Sequence, residues 1–581
     1  MTHKLSPFAA GIALCCALLA ASPGALSAPE NEDMDEASSE PIPALLPFQE
    51  LTADTLFLLL LGEIAGSRGD LEVSVEAYLH AARQTRDPRV ARRATEIALV
   101  ARDMESATSA ARIWQETDPD SEDARRTLAG ILAARGDQMN EVQIELARIL
   151  ANSQDEQLER NLLGLNRALA PMPDQALARE IIERLVEPYL DKAPAHLALA
   201  QAAATDDDPV GALGAVERAL ELRPNWEAAV VLKSQLLVQM NAIDEALYLL
   251  RGHLAQFPDS RGVSVAHART LVSARDFEAA LVEFRRLLAA NPEDRDLMYA
   301  VGLVAAEIGE FEIAAEHFQQ ALEARHPEAD AIRMNLGRIA EDSERPGEAL
   351  DWYYEVGTGG YHTDAQIRIA HILANNGAPS AARRHLQDAA AEAEPEDARR
   401  MLLAEVLLLR EAQRFEEAFE RIEQALVDAP EDTQLLYESA MLAERLDRLE
   451  LMEQRLRTVL ELDPDHAHAY NALGYTLADR GLRLEEAEAL IRRALELAPD
   501  DPFILDSLGW VRFRRNDAEE ALHHLETAFS LRPDPEIAAH LGEVLWSLER
   551  YNEASELWDA AREQYPTNPV LGETLERLRG W

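Results

Sequence analysis

The stretch that decides the fold is "DSLGWVRFRRNDAEEALHHLETAFSLRPD", Asp506 to Asp534. Leu508, Trp510, Val511 and Phe513 in its first half, and Ala521, Leu522, Leu525, Ala528 and Phe529 in its second, recur at helical spacing, so it reads as two amphipathic helices joined by a polar turn. Gly509 sits inside the first helix, where glycine costs about 1 kcal/mol against alanine. The same cost recurs elsewhere. "NALGYTLADRGLRLEEAEALIRRALELAPD", from Asn471, places Gly474 35 positions earlier, and "AHLGEVLWSLERYNEASELWDAAREQYPT", from Ala539, places Gly542 33 positions later. Ala487, Ala521 and Ala554 open the second helices, and Pro464, Pro499, Pro533 and Pro566 close the units. A period near 34 with glycine, alanine and proline at fixed offsets marks a helix-turn-helix repeat. Small residues stand where the two helices cross closely, and proline stands where the chain turns into the next unit.

The pattern continues upstream. "YAVGLVAAEIGEFEIAAEHFQQALEARHP" carries Gly302, Ala314, Phe318, Ala321 and Pro327, and "MNLGRIAEDSERPGEALDWYYEV" carries Gly337, Ala349 and Tyr353. Earlier units keep part of it: Ala212 with Pro224, Ala246 with Pro258, Ala280 and Phe284 with Pro292. These residues resemble the tetratricopeptide repeat, which asks for Leu-Gly, an alanine in the second helix, a large residue, another alanine and proline. The resemblance implies an all-α solenoid, a right-handed superhelix of helix-turn-helix units. About fourteen to fifteen 34-residue units fit between positions 51 and 567. "NPVLGETLERLRGW", residues 568–581, reads as a capping helix. A chain of 581 residues ordinarily divides into several domains, but repeats grow by stacking. The hydrophobic content of 47%, low in aromatics and without strand-type alternation, agrees with an all-helical array.

The N-terminus is of another kind. "MTHK", the apolar run "LSPFAAGIALCCALLAA" and the small residues "SPGALSA" form a secretory signal peptide, residues 1–27, with cleavage expected after Ser27. Both cysteines, Cys15 and Cys16, lie in the apolar run and are preceded by Leu14 and Cys15. Bacterial lipoproteins have Gly, Ala or Ser before the acylated cysteine, so ordinary cleavage is the expectation, and lipidation would change "exported" into "anchored". Residues 28–50 include "ENEDMDEASSE" with six acids and no base, then "PIPALLP". They read as a self-repelling disordered tether, with an acidic interaction tail as the alternative. The expected location is the periplasm, with possible outer-membrane association.

Fifty-six basic residues against 105 acidic ones give a net charge of −49. Nucleic acid as a ligand is excluded, since phosphate binding needs clustered cations. Lysine occurs only at Lys4, Lys192 and Lys233, so nearly every cation is arginine. None follows a glycine as a phosphate-binding loop requires, and "GTGG" at Gly357 to Gly360 reads as a helix end. There is no G-x-S-x-G elbow and no H-E-x-x-H motif. His466 with His468 and His523 with His524 lack the spacing of helical metal ligands. The expectation is a non-enzyme with no cofactor, no metal and no small-molecule substrate. The one place where an enzyme domain could hide is Ala168 to Pro209, where the period breaks.

What remains is surface. In the tetratricopeptide family the first helix of each unit lines a groove, and residues three before and one after the glycine point into it. Carried onto this chain these are Asn471, Tyr475, Asp506, Trp510, Ala539 and Glu543, with Phe513 and Trp546 one turn further on. The set suits a peptide backbone with an apolar side chain, against the alternative that Trp510 and Phe513 pack between helices. It does not resemble the arginine-and-lysine carboxylate clamp of chaperone cofactors. The region from His468 to Trp546, with "LTADTLFLLLLGEIAGSRGDLEVSVEAYLHAARQTRDP" near the N-terminus, is similar to periplasmic proteins of the proteobacteria that include the outer-membrane lipoprotein adaptor of a carboxyl-terminal processing protease. That resemblance implies a scaffold that gathers the protease and its peptidoglycan-hydrolase substrates. The alternative is a scaffold for outer-membrane or exopolysaccharide assembly.

Overall fold

The computed structural model describes residues 52–135 and 139–579. The expected signal peptide with Cys15 and Cys16, the expected acidic tether, Leu51 and the terminal Trp581 lie outside the described residues. Within them the chain is all α-helical apart from one 3-10 turn at Glu187–Tyr189. It runs as fifteen consecutive helix pairs, from Ala53–Ser67 with Leu71–Thr85 to Pro535–Ser547 with Tyr551–Gln564, followed by the single helix Pro569–Arg579. Two compact units divide it, the first ending at Ala329 and the second running from Asp330.

The two helices of a pair are built differently, and the sequence shows why. In the first helix Pro502–Arg514 every residue from Ile504 to Val511 is buried, whereas Ala518–Leu531 buries Ala521, Leu522, Leu525 and Ala528 along one stripe. The pair Arg295–Glu307 and Phe311–Glu323 repeats the contrast, with Leu297 to Ala306 buried in one and Ala314, Phe318 and Ala321 in the other. The helix Pro502–Arg514 touches its own second helix and helices of the pairs on both sides, so it needs apolar residues nearly all round. A second helix keeps one wet face and the narrow stripe that goes with it.

The periodic glycines explain how the helices of a pair meet. A methyl group on Gly509 would lie 2.6 Å from Leu525 Cγ and 3.1 Å from the Ala521 carbonyl oxygen; on Gly474 it would lie 2.6 Å from Ile491 Cγ1 and 2.9 Å from the Ala487 carbonyl oxygen. On Gly302 it would lie 2.6 Å from the Phe318 ring, and on Gly337 and Gly542 it would collide with Tyr353 and Trp558. The glycine is therefore a seat for the large side chain four residues after the repeat alanine. Ala314, Ala349, Ala487, Ala521 and Ala554 are fully buried beneath that crossing. Gly62 forms the same seat for Tyr78, 2.5 Å from an added methyl, in the first pair. Ser74 stands there in place of the alanine of those pairs.

Side-chain caps fix where some of the helices begin. Asp501 accepts hydrogen bonds from the backbone N–H groups of Phe503 and Ile504 at 2.8 and 3.1 Å, with Pro502 at the first helical position. Pro464, Pro499, Pro533 and Pro566 all lie in the connections between pairs. Where the period breaks, the chain forms the helix Gln175–Val186, the 3-10 turn and the helix Ala193–Thr205, so the segment suspected of holding a separate domain continues the array. The "GTGG" run follows the short helix Pro346–Tyr354, and the Gly357 N–H donates to Asp330 at 3.1 Å.

Candidate functional site

Three first helices of the second unit, Ala467–Asp479, Pro502–Arg514 and Pro535–Ser547, touch in succession and carry the residues singled out in the sequence. At their centre is His540. Its Nδ1 lies 3.0 Å from both carboxylate oxygens of Asp506, and its Nε2 lies 3.5 Å from the Tyr475 hydroxyl. Trp510 stacks on the imidazole, ring centroids 4.2 Å apart, and its indole N–H donates to Asp479 at 3.3 Å. Phe513 packs against Trp510 at 5.5 Å, and the Arg514 guanidinium lies over the indole at 5.8 Å.

Burial alone would depress the basicity of His540, but the Asp506 carboxylate, with Glu543 and Asp479 behind it, outweighs burial and raises its pKa. The Tyr475 phenol is pushed up, first by burial and then by the charges of Asp479 and Asp506. An aspartate that orients a histidine is half of a nucleophilic triad, yet the other imidazole nitrogen faces a phenol that holds its proton tightly, not a serine or cysteine. The cluster locks repeats together.

The remaining predicted residues fall into two groups. Glu543 is buried and held at both oxygens by Arg577 of the last helix, with one contact of 2.7 Å. Asp506, Trp510 and Ala539 are likewise buried within the array. Asn471, Tyr475, Phe513 and Trp546 are half-buried. Trp546 packs edge-on against Tyr551 at 4.8 Å and near Trp558 at 5.7 Å. Asn471 Oδ1 is buried without a hydrogen-bond partner. The structure thus brings Tyr475, Asp506, Trp510 and Phe513 together around His540, ties Glu543 to Arg577, and sets Trp546 apart against Tyr551 and Trp558. His540, which joins the first four, was not singled out: a lone histidine two residues before a repeat glycine carries no spacing signal.

Among the described residues no group of His, Cys, Asp and Glu side chains is arranged to hold a metal ion, and no helix is long and apolar enough to cross a membrane.

A tetratricopeptide-repeat model matches residues 265–312, 302–359, 453–502 and 507–569. Over 533 residues the chain is 37% identical to the TPR repeat-containing protein PA4667 of Pseudomonas aeruginosa, covering 92% of this chain and 89% of that one. The chain belongs to the tetratricopeptide-repeat proteins. Two solved structures resemble it over shorter stretches. TTC0263 of Thermus thermophilus is 23% identical with a TM-score of 0.29, covering 31% of this chain and 98% of its own; MamA of Desulfovibrio magneticus is 20% identical with a TM-score of 0.27, covering 29% and 93%. Tetratricopeptide repeats serve as scaffolds for protein–protein interaction, and no catalytic family is indicated.

Proposed function

We propose that this tetratricopeptide-repeat chain is a non-catalytic adaptor of the bacterial cell envelope, which binds a carboxyl-terminal processing protease and its cell-wall hydrolase substrates and so promotes proteolysis. The observation that carries the scaffold reading is the run of helix pairs among the described residues, with the His540–Asp506 and Glu543–Arg577 pairs each engaged within the chain. Such an array offers side-chain surface rather than a reaction centre, and holding two proteins on it raises their effective concentration without new chemistry. The envelope location rests on the leader-like N-terminus, and the protease on the resemblance of the region from His468 to Trp546. The net charge of −49 fits protein partners with basic faces and argues against nucleic acid.

The test is co-elution. Purified chain lacking residues 1–27 is mixed with a serine protease of the carboxyl-terminal processing type and run on a sizing column at several salt concentrations. A joint peak, with no peptidase activity in the repeat protein alone, supports the adaptor. Separate peaks at every salt concentration move the outer-membrane or exopolysaccharide assembly scaffold into first place.

A further inference from the structure

Gly164, like Gly130, Gly214 and Gly252, is a helical glycine that seats no side chain. It lies inside the helix Asp155–Leu169, where glycine is costly, yet a methyl group placed on it would meet nothing within 4 Å. No ring sits there. Instead Gly164 opens onto a cavity of about 470 Å³, within the range of small-ligand and peptide pockets. Leu146, Ile149 and Leu150 of the helix Met139–Asn152, with Leu165, supply its apolar wall.

Arg160 and Arg167 flank Gly164 on the same helix face and line the same cavity. Arginines of this chain are mostly tied to carboxylates, such as Arg448 to Glu416 at 2.6 Å and Arg399 to Asp432 at 3.1 Å. Neither Arg160 nor Arg167 makes an ion pair or hydrogen bond among the described residues. In a chain with nearly twice as many acids as bases, two free guanidiniums lining one cavity are a departure in charge. The carboxylate in the cavity, Glu122, is already held by Arg126 and Gln157, and Arg126 also reaches Asn161 at 3.2 Å.

We propose that this cavity binds an extended acidic segment of a partner protein, with two carboxylates about three residues apart and apolar side chains between them. The spacing follows from the helix. Seven residues rise about 10 Å, and a chain extended in the polyproline II conformation covers about 9 Å in one three-residue turn, which puts the two carboxylates on the same side. Each guanidinium takes one carboxylate, the intervening side chains rest on Leu146, Ile149 and Leu150, and the bare backbone at Gly164 lets the peptide approach closely. This inference deepens the scaffold reading and rests on it, by naming the chemistry of one partner segment.

The test uses the whole chain without residues 1–27 and a panel of fluorescein-labelled, amidated octapeptides of the form Glu-x-x-Glu, x being Leu, Val, Ile or Phe, read by anisotropy at low salt. At least one member is expected to bind about tenfold tighter than its Gln-x-x-Gln counterpart. The double variant Arg160→Gln with Arg167→Gln is expected to lose that preference. Gly164→Leu, whose side chain has open space to enter, is expected to keep the parent's melting temperature and lose binding. Equal binding of the Glu and Gln peptides, unchanged binding by the double variant, or no binding by any member overturns the site. Co-elution of the protease with the double variant, alongside any of those results, removes this site and leaves the adaptor reading standing.

Discussion

At the scale of single residues, the account rests on glycines that seat a neighbour's side chain. Gly509→Ala is expected to destabilise by about 1 to 3 kcal/mol, because the new methyl overlaps Leu525 in a packed crossing. Shortening Leu525 to alanine in the same chain should recover part of that loss, giving a coupling of about 1 kcal/mol in a double-mutant cycle; strictly additive losses would refute the seat. His540 makes a second prediction. Its folded-state pKa lies above the unfolded value of 6.5, so its contribution is fully present below that value and fades as pH rises through the raised one. Melting temperature should therefore decline from pH 6 upward through the His540 transition, and Asp506→Asn should flatten the slope; an unaltered slope in that variant counts against the pair. The sequence made these residues legible to unequal degrees. Gly509 and Ala521 repeat, so their role could be read from period alone. Trp510 could be placed on the right helix but not assigned a neighbour, since its partner His540 comes from the next repeat and only the fold brings the two to 4.2 Å. Gly164 was invisible for the opposite reason: its meaning lies in an open space, which no pattern of side chains encodes.

At the scale of elements, the turn inside each pair is the most regular feature that the sequence concealed. Gly309 with φ +80° and Glu549 with φ +62° occupy the same position, two residues past the end of a first helix, as do Asn516, Gln413 and Asp447. The Glu549 N–H donates to the Trp546 carbonyl at 3.1 Å and the Arg550 N–H to the Leu545 carbonyl at 2.9 Å, so the left-handed residue closes the helix end. Glycine signals such a turn; glutamate and glutamine do not, and their side chains tolerate it only because the hydrogen bonds hold the backbone. An L-residue costs about 1 to 2 kcal/mol in this conformation, against about 0.5 to 1 for the freedom glycine loses on folding. Glu549→Gly should accordingly raise stability by up to about 1 kcal/mol, measured by urea denaturation, and a lower midpoint would show that the turn carries no strain. The degenerate early units were hardest to delimit from sequence because alanine alone, as at Ala212 and Ala246, marks a crossing without saying which residue faces it.

At the scale of the whole molecule, excess negative charge is opposed by arginines that reach between neighbouring units. Arg483 grips Glu453 of the preceding pair and Arg457 grips Glu486 of the following one; Arg483, with Arg457 at 2.8 Å, holds the Glu453 pKa down to about 2. Exposed pairs of this kind are each worth little, about 0 to 1 kcal/mol, while 105 acids face only 56 bases. Screening should relieve more repulsion than it removes attraction, so the melting temperature is expected to be higher at molar salt than at low salt; a lower one would mean that the inter-repeat pairs dominate. Charge, repeat and closed polar clusters together describe a body suited to holding proteins, and the central claim is that it works by holding two at once. The most direct measurement is the rate at which a carboxyl-terminal processing protease degrades a cell-wall hydrolase as the repeat protein is titrated from well below to far above both. A scaffold that brings the two together raises the rate, then lowers it when excess chains carry them separately. The account predicts that rise and fall, and a rate that stays flat, or climbs to a plateau without falling, would contradict it.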